Sequence, residues 1–108
     1  MAYETIDNLP AVHPGEFLAD ELEALHLSAR KFAEHIDVPP NAITTIINGQ
    51  RGISAEMALR LGRAFGTGER YWMNLQSLYE TKIARHKLGE KVASIAPLVP
   101  AYAEAAVR

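Results

Sequence analysis

The sequence predicts an all-α fold, a compact bundle of about five helices. Apolar residues recur at helical spacing in five successive segments of the 108-residue chain. Capping residues or prolines precede these segments, and glycine follows several of them. No segment shows the alternation of apolar and polar residues that a half-buried strand requires. Hydrophobic residues make up 48% of the chain, enough for a modest packed core to which a partner subunit could add.

The first helix is predicted from about Pro14 to Leu25. Proline suits the first helical position because the N–H of that position has no partner within the helix in any case. Leu18, Leu22 and Leu25 are spaced at i, i+4 and i+7, so they are predicted to form one stripe that faces the core.

The second and third helices are predicted to be short. The second begins after Ser28, a good N-cap, and runs to about Ile36. The third begins at Pro40, because a residue that precedes a proline, here Pro39, is pushed out of the helical region. It ends at Asn48-Gly49, where glycine can adopt the left-handed conformation. The predicted inward residues of this pair are Phe32, Ala33, Ile36, Ile43, Ile46 and Ile47.

Only the three residues 37–39 separate these two helices, so the helices are predicted to cross steeply. The small Ala33 permits close approach, and Ile43 and Ile46 fill the contact. The segment from about Ser28 to Asn48 therefore reads as a helix-turn-helix, whose second helix can enter the major groove of DNA. Its outward face is short and polar where stability alone would favour Glu, Lys, Gln and Arg. That face consists of Asn41, Ala42, Thr44, Thr45 and Asn48.

The remaining helices follow from caps and glycines. Ser54 is predicted to cap a fourth helix that stops at Gly66, and Thr67 to cap a fifth that continues to about Lys87. A short helix over about Glu90 to Ala96 can follow the break at Gly89. The fifth helix carries a broad apolar face assigned to the core and to a homodimer interface, formed by Tyr71, Trp72, Leu75, Leu78, Tyr79 and Ile83. The predicted organisation is an N-terminal tail (1–12), a helix-turn-helix DNA-binding domain (13–87) and a C-terminal extension (88–108).

The outward face of the third helix suggests how bases would be read. Asparagine can bind adenine through a pair of hydrogen bonds, and the threonine methyl group can contact thymine. Residues just past this helix are expected to reach phosphates through side chains and through free backbone N–H groups, and the N-terminus of the second helix offers another phosphate site. The phosphate-contacting candidates are Ser28, Arg30, Lys31, Asn48, Gln50 and Arg51.

Charge and composition restrict the other function classes. The net charge of −2 argues against a bulk basic surface, yet the segment Ser28–Arg70 holds six basic and four acidic residues and can present a basic face. There is no cysteine, and the four histidines lie in separate segments, so we expect no disulfide, metal site or cofactor. The neighbouring acids of the first helix are interpreted as a solvated face, so the chain is predicted not to be an enzyme. No stretch approaches about 18 apolar residues and no signal peptide is evident, which predicts a cytoplasmic protein that does not enter membranes.

Five short motifs, in order, resemble the HigA-type antitoxins (VapI-like or plasmid-maintenance antidote proteins) of the Xre/lambda-repressor helix-turn-helix family. The resemblance covers about residues 12–86. The motifs are His13-Pro14-Gly15-Glu16-Phe17-Leu18, Val38-Pro39-Pro40-Asn41, Ile47-Asn48-Gly49-Gln50-Arg51, Ala58-Leu59-Arg60-Leu61 and Tyr71-Trp72-Met73-Asn74-Leu75-Gln76.

The resemblance implies a lambda-repressor-like bundle that dimerises, binds a palindromic operator before its own operon and represses it. It also implies that the protein binds and neutralises a RelE-like mRNA interferase toxin, HigB. Pro40, Asn41 and Thr45 match base-facing positions of the family. With Thr44 from the outward face, the base-contacting candidates are Pro40, Asn41, Thr44 and Thr45.

Two alternatives remain open at this point. A stand-alone Xre-type transcriptional regulator would use the same DNA surface without a toxin partner. A protein-interaction module that has lost DNA binding would account for the acidic balance. It would also account for Ala29 and Ala42, which stand where related proteins often carry Gln and Arg.

Overall fold

The computed structural model describes residues 9–99, and this part of the chain forms six helices without a strand. The predicted all-α fold is confirmed. The alanine-rich end of the predicted extension, residues 100–108, and residues 1–8 of the predicted tail lie outside the described residues. The helices are α1 (Pro14–Ala24), α2 (Ala29–His35), α3 (Pro40–Ile47), α4 (Ala55–Phe65), α5 (Glu69–Leu88) and α6 (Glu90–Ala93).

The predicted caps explain most helix boundaries. The Ser28 hydroxyl accepts the N–H of Lys31, and the Ser54 hydroxyl accepts the N–H of Met57, both at 3.1 Å. Pro39 is extended, with φ −64° and ψ 147°, so Pro40 is the first residue of α3. His13, which precedes Pro14, is likewise extended, with ψ 138°.

The core lies where α1, α2, α3, α4 and the first half of α5 meet. Three aromatic rings run through it: Phe65 stacks on Phe32 at a centroid distance of 5.1 Å and lies 5.6 Å from Trp72. Each large side chain buried here contributes about 1.5–3 kcal/mol relative to exposure. The largest fully buried side chains are Trp72, Phe32, Leu18, Ile43, Ile46, Leu61 and Pro14.

The start of α1 is packed against the end of α3. A β-carbon added at Gly15 would overlap the Ile46 carbonyl, so only glycine allows the two backbones to approach this closely. The Gly15 N–H donates to Nδ1 of His13 at 2.8 Å, and the His13 ring meets Tyr79 edge-on at 4.9 Å. His13 therefore caps α1 and joins it to α5, which together support the C-terminal end of α3.

Two of the predicted core and cap assignments were wrong. Leu25 is 54% exposed, because α1 ends at Ala24 and the chain turns through His26, whose φ is +56°. Thr67 does not cap α5; the N-cap is Gly68, and the Thr67 hydroxyl instead accepts the indole N–H of Trp72 at 3.0 Å. The Thr67 hydroxyl, predicted to cap α5, therefore bonds the buried indole N–H of Trp72.

The C-terminal helices also differ from the prediction. The helix expected over Glu90–Ala96 ends at Ala93. Of the predicted apolar face of α5 only Trp72 is fully buried, whereas Leu78 is 68% exposed and Ile83 is 45% exposed. No helix in residues 9–99 is both long enough and apolar enough to cross a membrane.

Candidate nucleic-acid interface

The turn between α2 and α3 has the left-handed residue that the short connection requires. Asp37 has a φ of +59°, as expected for a residue type that tolerates this region better than most. The Val38 N–H then donates to the Ala33 carbonyl at 3.0 Å, which closes the turn onto the end of α2. Ala33, Ile43 and Ile46 are fully buried, so the predicted contact between the two helices is confirmed.

Arg60 of α4 donates hydrogen bonds to the backbone of this turn. Its Nη1 donates to the Ile36 carbonyl at 2.6 Å and to the Asp37 carbonyl at 3.4 Å, and its Nη2 lies 3.4 Å from the Glu56 carboxylate. Carbonyls at a helix C-terminus carry partial negative charge, which a guanidinium neutralises. Arg60 is one of the six basic residues between Ser28 and Arg70, and its guanidinium is engaged with the backbone of the turn.

The exposed face of α3 carries the base-contacting candidates. Pro40, Asn41 and Thr44 are exposed and Thr45 is half-buried. No group in the described part of the chain bonds the Asn41 side-chain amide, which leaves both its donor and its acceptor available. The Thr45 hydroxyl donates to the Asn41 carbonyl at 2.7 Å, so Thr45 can offer a base edge its methyl group and an acceptor oxygen but no donor.

The dimensions of this face fit DNA. The eight residues of α3 rise about 12 Å along the helix axis. An α-helix with its side chains is about 10–12 Å in diameter, and the major groove of B-DNA, about 12 Å wide, admits one such helix. All four base-contacting candidates therefore lie on a helix that one groove can accommodate.

The phosphate-contacting candidates form two groups at the ends of the helix pair. Ser28, Arg30 and Lys31 lie at the N-terminus of α2, where the backbone N–H groups of the first turn have no acceptor within the helix. The Arg30 and Lys31 side chains are exposed and make no ion pair within residues 9–99. The Ser28 oxygen accepts the Lys31 N–H, and its own O–H remains available to donate to a phosphate oxygen.

The second group lies just after α3. The side chains of Asn48, Gln50 and Arg51 are exposed, and none of them is bonded within the described residues. The expectation of free backbone N–H groups was wrong at Asn48, Gln50 and Arg51, whereas the N–H of Gly52, which the same expectation included, has no acceptor among the described residues. The N–H of Asn48 donates to the Thr44 carbonyl, and those of Gln50 and Arg51 both donate to the Thr45 carbonyl, at 2.9 to 3.2 Å. At Asn48, Gln50 and Arg51, only the side chains are therefore available to contact phosphate.

Gly49 makes this second turn possible. Its φ is +76°, a region that side chains with a β-carbon rarely adopt, and it was predicted as the left-handed end of α3.

Among the described residues there is no group of three metal-ligating side chains.

A steep helix pair with an exposed polar second helix defines the chain as a helix-turn-helix protein. Comparison with known proteins agrees. The helix-turn-helix family HTH_3 matches residues 18–72. Virulence-associated protein I of Dichelobacter nodosus is 44% identical over 79 residues, which cover 72% of this chain and 73% of that protein.

Two solved structures are similar over most of the chain. An addiction module antidote protein of the HigA family from Coxiella burnetii is 44% identical, with a TM-score of 0.79 over 82% of this chain and 99% of its own. The antitoxin HigA of Pseudomonas aeruginosa, solved with the higBA promoter, is 41% identical, with a TM-score of 0.78 over 83% of this chain and 100% of its own.

The chain belongs to the Xre-type helix-turn-helix family and, within it, to the HigA-type antitoxins. This confirms the resemblance found in the sequence. The family consists of DNA-binding proteins and not of enzymes, so the prediction of a non-enzyme is also confirmed.

Proposed function

We propose that the protein is a sequence-specific repressor of its own toxin–antitoxin operon and that it neutralises a HigB-like mRNA interferase toxin. The observation that carries the DNA-binding half is the exposed face of α3, where the Asn41 amide has no partner within the described residues. Surface helices selected for stability alone carry charged helix formers at such positions.

In the proposed complex, α3 lies in the major groove and α2 crosses the sugar–phosphate backbone. Asn41 reads an adenine through N6 and N7, and the Thr45 methyl group contacts a thymine. Arg30 and Lys31 meet the backbone on one side of the groove, and Arg51 meets it on the other. The buried contact of Ile43 and Ile46 with α2 keeps these groups in fixed register.

The small number of cations sets the expected salt dependence. Arg30, Lys31 and Arg51 are exposed, whereas Arg60 is engaged with the turn. Three cations per protomer correspond to about six phosphate contacts for a dimer, and so to a slope of about −5 in log K against log salt concentration. A chain of net charge −2 therefore relies on placed contacts and not on its overall field.

A homodimer is proposed because one helix reads too few base pairs, whereas two copies reach half-sites about 34 Å apart. The second half of α5 and α6 supply exposed apolar side chains for it. Leu78, Ile83, Leu88 and Val92 are all at least 44% exposed. A groove of about 300 Å³ also runs beside Leu78, between α5, Phe17 of α1 and residues 10–12. A second copy of the chain is the occupant proposed for this surface.

The toxin partner is proposed from the relatives, which include a Vibrio cholerae antitoxin HigA-1 with 30% identity over 81% of this chain. The charge of α1 supports a basic partner, because its exposed acids face no Lys or Arg on the same helix. These acids are Glu16, Asp20, Glu21 and Glu23. A regulator without a toxin would share the DNA surface and lack this partner.

The DNA proposal is tested by titrating the protein onto the DNA upstream of its own gene at several salt concentrations, with a shuffled duplex as control. We expect a footprint over two half-sites and a slope near −5. Equal, weak binding to both duplexes would refute the repressor proposal.

The toxin proposal is tested separately. If a gene for a basic protein of about 90 residues lies beside the gene for this chain, the two genes are co-expressed. Cell growth and formation of the protein complex are then measured. We expect rescue of growth and a stable complex. Without such a gene, or without rescue, the stand-alone regulator is the better description.

A further inference from the structure

Gln76 is the one buried polar side chain among residues 9–99, with 7% of its surface exposed. Its Oε1 accepts the backbone N–H of Ile53 at 2.7 Å, and its Nε2 donates to the Glu80 carboxylate at 2.6 Å. The first bond spans 23 residues and joins α5 to the segment between α3 and α4. Both polar atoms of this amide therefore have a hydrogen-bond partner.

The shape of the segment is matched to this side chain. A β-carbon added at Gly52 would lie 2.7 Å from Nε2 of Gln76, so any larger residue would push the amide away. Ile53 is buried beside it, and its N–H would have no acceptor without Gln76. An unsatisfied buried donor costs about 1–3 kcal/mol, which is enough to displace a short surface segment.

Arg51 lies between two anchors of this segment. On one side its own N–H donates to the Thr45 carbonyl at 3.2 Å, which ties it to α3. On the other side, two residues later, Ile53 is held by Gln76. The Arg51 side chain itself is exposed and makes no bond within the described residues. Its position relative to the groove is thus determined by the backbone on both sides.

We propose that Gln76 is a positioning residue for DNA binding: through Ile53 it holds the backbone that directs Arg51 to a phosphate. Glu80 orients the Gln76 amide, because its carboxylate can only accept and so binds the NH₂ end, which turns the oxygen toward Ile53. The inference rests on the proposed function of Arg51 as a phosphate contact.

The test uses a reciprocal exchange within this pair. In Gln76→Glu the new carboxylate can still accept from Ile53, but it faces the Glu80 carboxylate across what was a 2.6 Å bond. In the double variant Gln76→Glu with Glu80→Gln, the amide donates in the opposite direction and all three groups are satisfied again. Gln76→Leu removes the acceptor altogether, and Ser77→Ala, at an exposed position of the same helix that makes no bond within the described residues, is the matched control.

Each variant is titrated onto the upstream duplex at several salt concentrations, at a temperature where circular dichroism shows it folded. We expect Gln76→Glu and Gln76→Leu to lose about tenfold in affinity and to reduce the salt slope by about one unit per protomer, as loss of one phosphate contact does. The exchanged pair and Ser77→Ala should stay within about twofold of the unmodified protein. On an Arg51→Ala background, Gln76→Leu should cost less than about twofold.

The outcomes separate the two proposals. If the unmodified protein does not bind the duplex specifically, the proposed function fails. If it binds and the Gln76 variants weaken binding with an unchanged salt slope, or equally on the Arg51→Ala background, Gln76 is only structural and the inference is overturned. If the single Gln76 variants do not fold, the exchanged pair decides: recovery of affinity and slope supports the positioning role, and failure to recover them refutes it.

Discussion

Arg60→Ala is the substitution whose effect follows most directly from the geometry. It removes the guanidinium that binds the Ile36 and Asp37 carbonyls at the end of α2. Those carbonyls lie in the turn that sets the angle between α2 and α3. We therefore expect a loss of stability that originates at the helix-turn-helix and not in the apolar core.

The magnitude can be built from the three contacts. A hydrogen bond from a charged donor, here 2.6 Å long, contributes about 1.5–3 kcal/mol. The 3.4 Å bond to Asp37 adds little, and the ion pair with Glu56, which is exposed, adds at most a few tenths of a kcal/mol. Because the Arg60 side chain is 35% exposed, the lower part of the range applies, about 1.5–2 kcal/mol in total.

The assay is urea unfolding of Arg60→Ala beside Arg63→Ala, a matched control on the same helix. Arg63 is exposed and makes no bond within the described residues, so its loss should cost only a few tenths of a kcal/mol from the helix end. In thermal unfolding the Arg60 variant should melt about 6–16 °C lower. Equal destabilisation by the two substitutions would refute the role assigned to Arg60.

Three further predictions concern the DNA surface, the packing of α3 and self-association. Arg51→Ala should weaken binding to all duplexes alike and lower the salt slope by about one unit per protomer, measured by fluorescence anisotropy; a sequence-dependent loss would contradict a phosphate contact. Gly15→Ala should cost at least about 1–3 kcal/mol in urea unfolding, because its methyl group overlaps the Ile46 carbonyl; unchanged stability would contradict that close approach. Leu78→Glu should raise the dimer dissociation constant at least about tenfold in sedimentation while circular dichroism shows the helices intact; an unaffected dimer would place the interface elsewhere.

The helix boundaries were largely predictable because they depend on local chemistry. Ser28 and Ser54 act as caps through their own hydroxyls, and the pair Pro39-Pro40 determines the start of α3 through backbone sterics alone. The exposed face of α3 followed for the same reason: once the helix start is known, helical periodicity decides which side chains face inward.

What the sequence did not reveal depends on partners far along the chain. Arg60 looks like one more surface cation until the end of α2 is placed beside it, and Gln76 looks like an ordinary polar residue on α5 until Ile53 approaches. The bond from the Trp72 indole to the Thr67 hydroxyl is more local, at 3.0 Å and five residues apart, but no helix-cap pattern indicates it. Such tertiary hydrogen bonds have no local sequence pattern, so they become visible only in the fold.

The central claim is that the exposed face of α3 reads bases. The most direct test measures affinity for every single base-pair substitution in one half-site, for the unmodified protein and for Asn41→Ala. We expect Asn41→Ala to lose about 1–3 kcal/mol of discrimination at one position of each half-site and to keep the other preferences. An unchanged profile, or a uniform loss at all positions, would contradict base reading by Asn41.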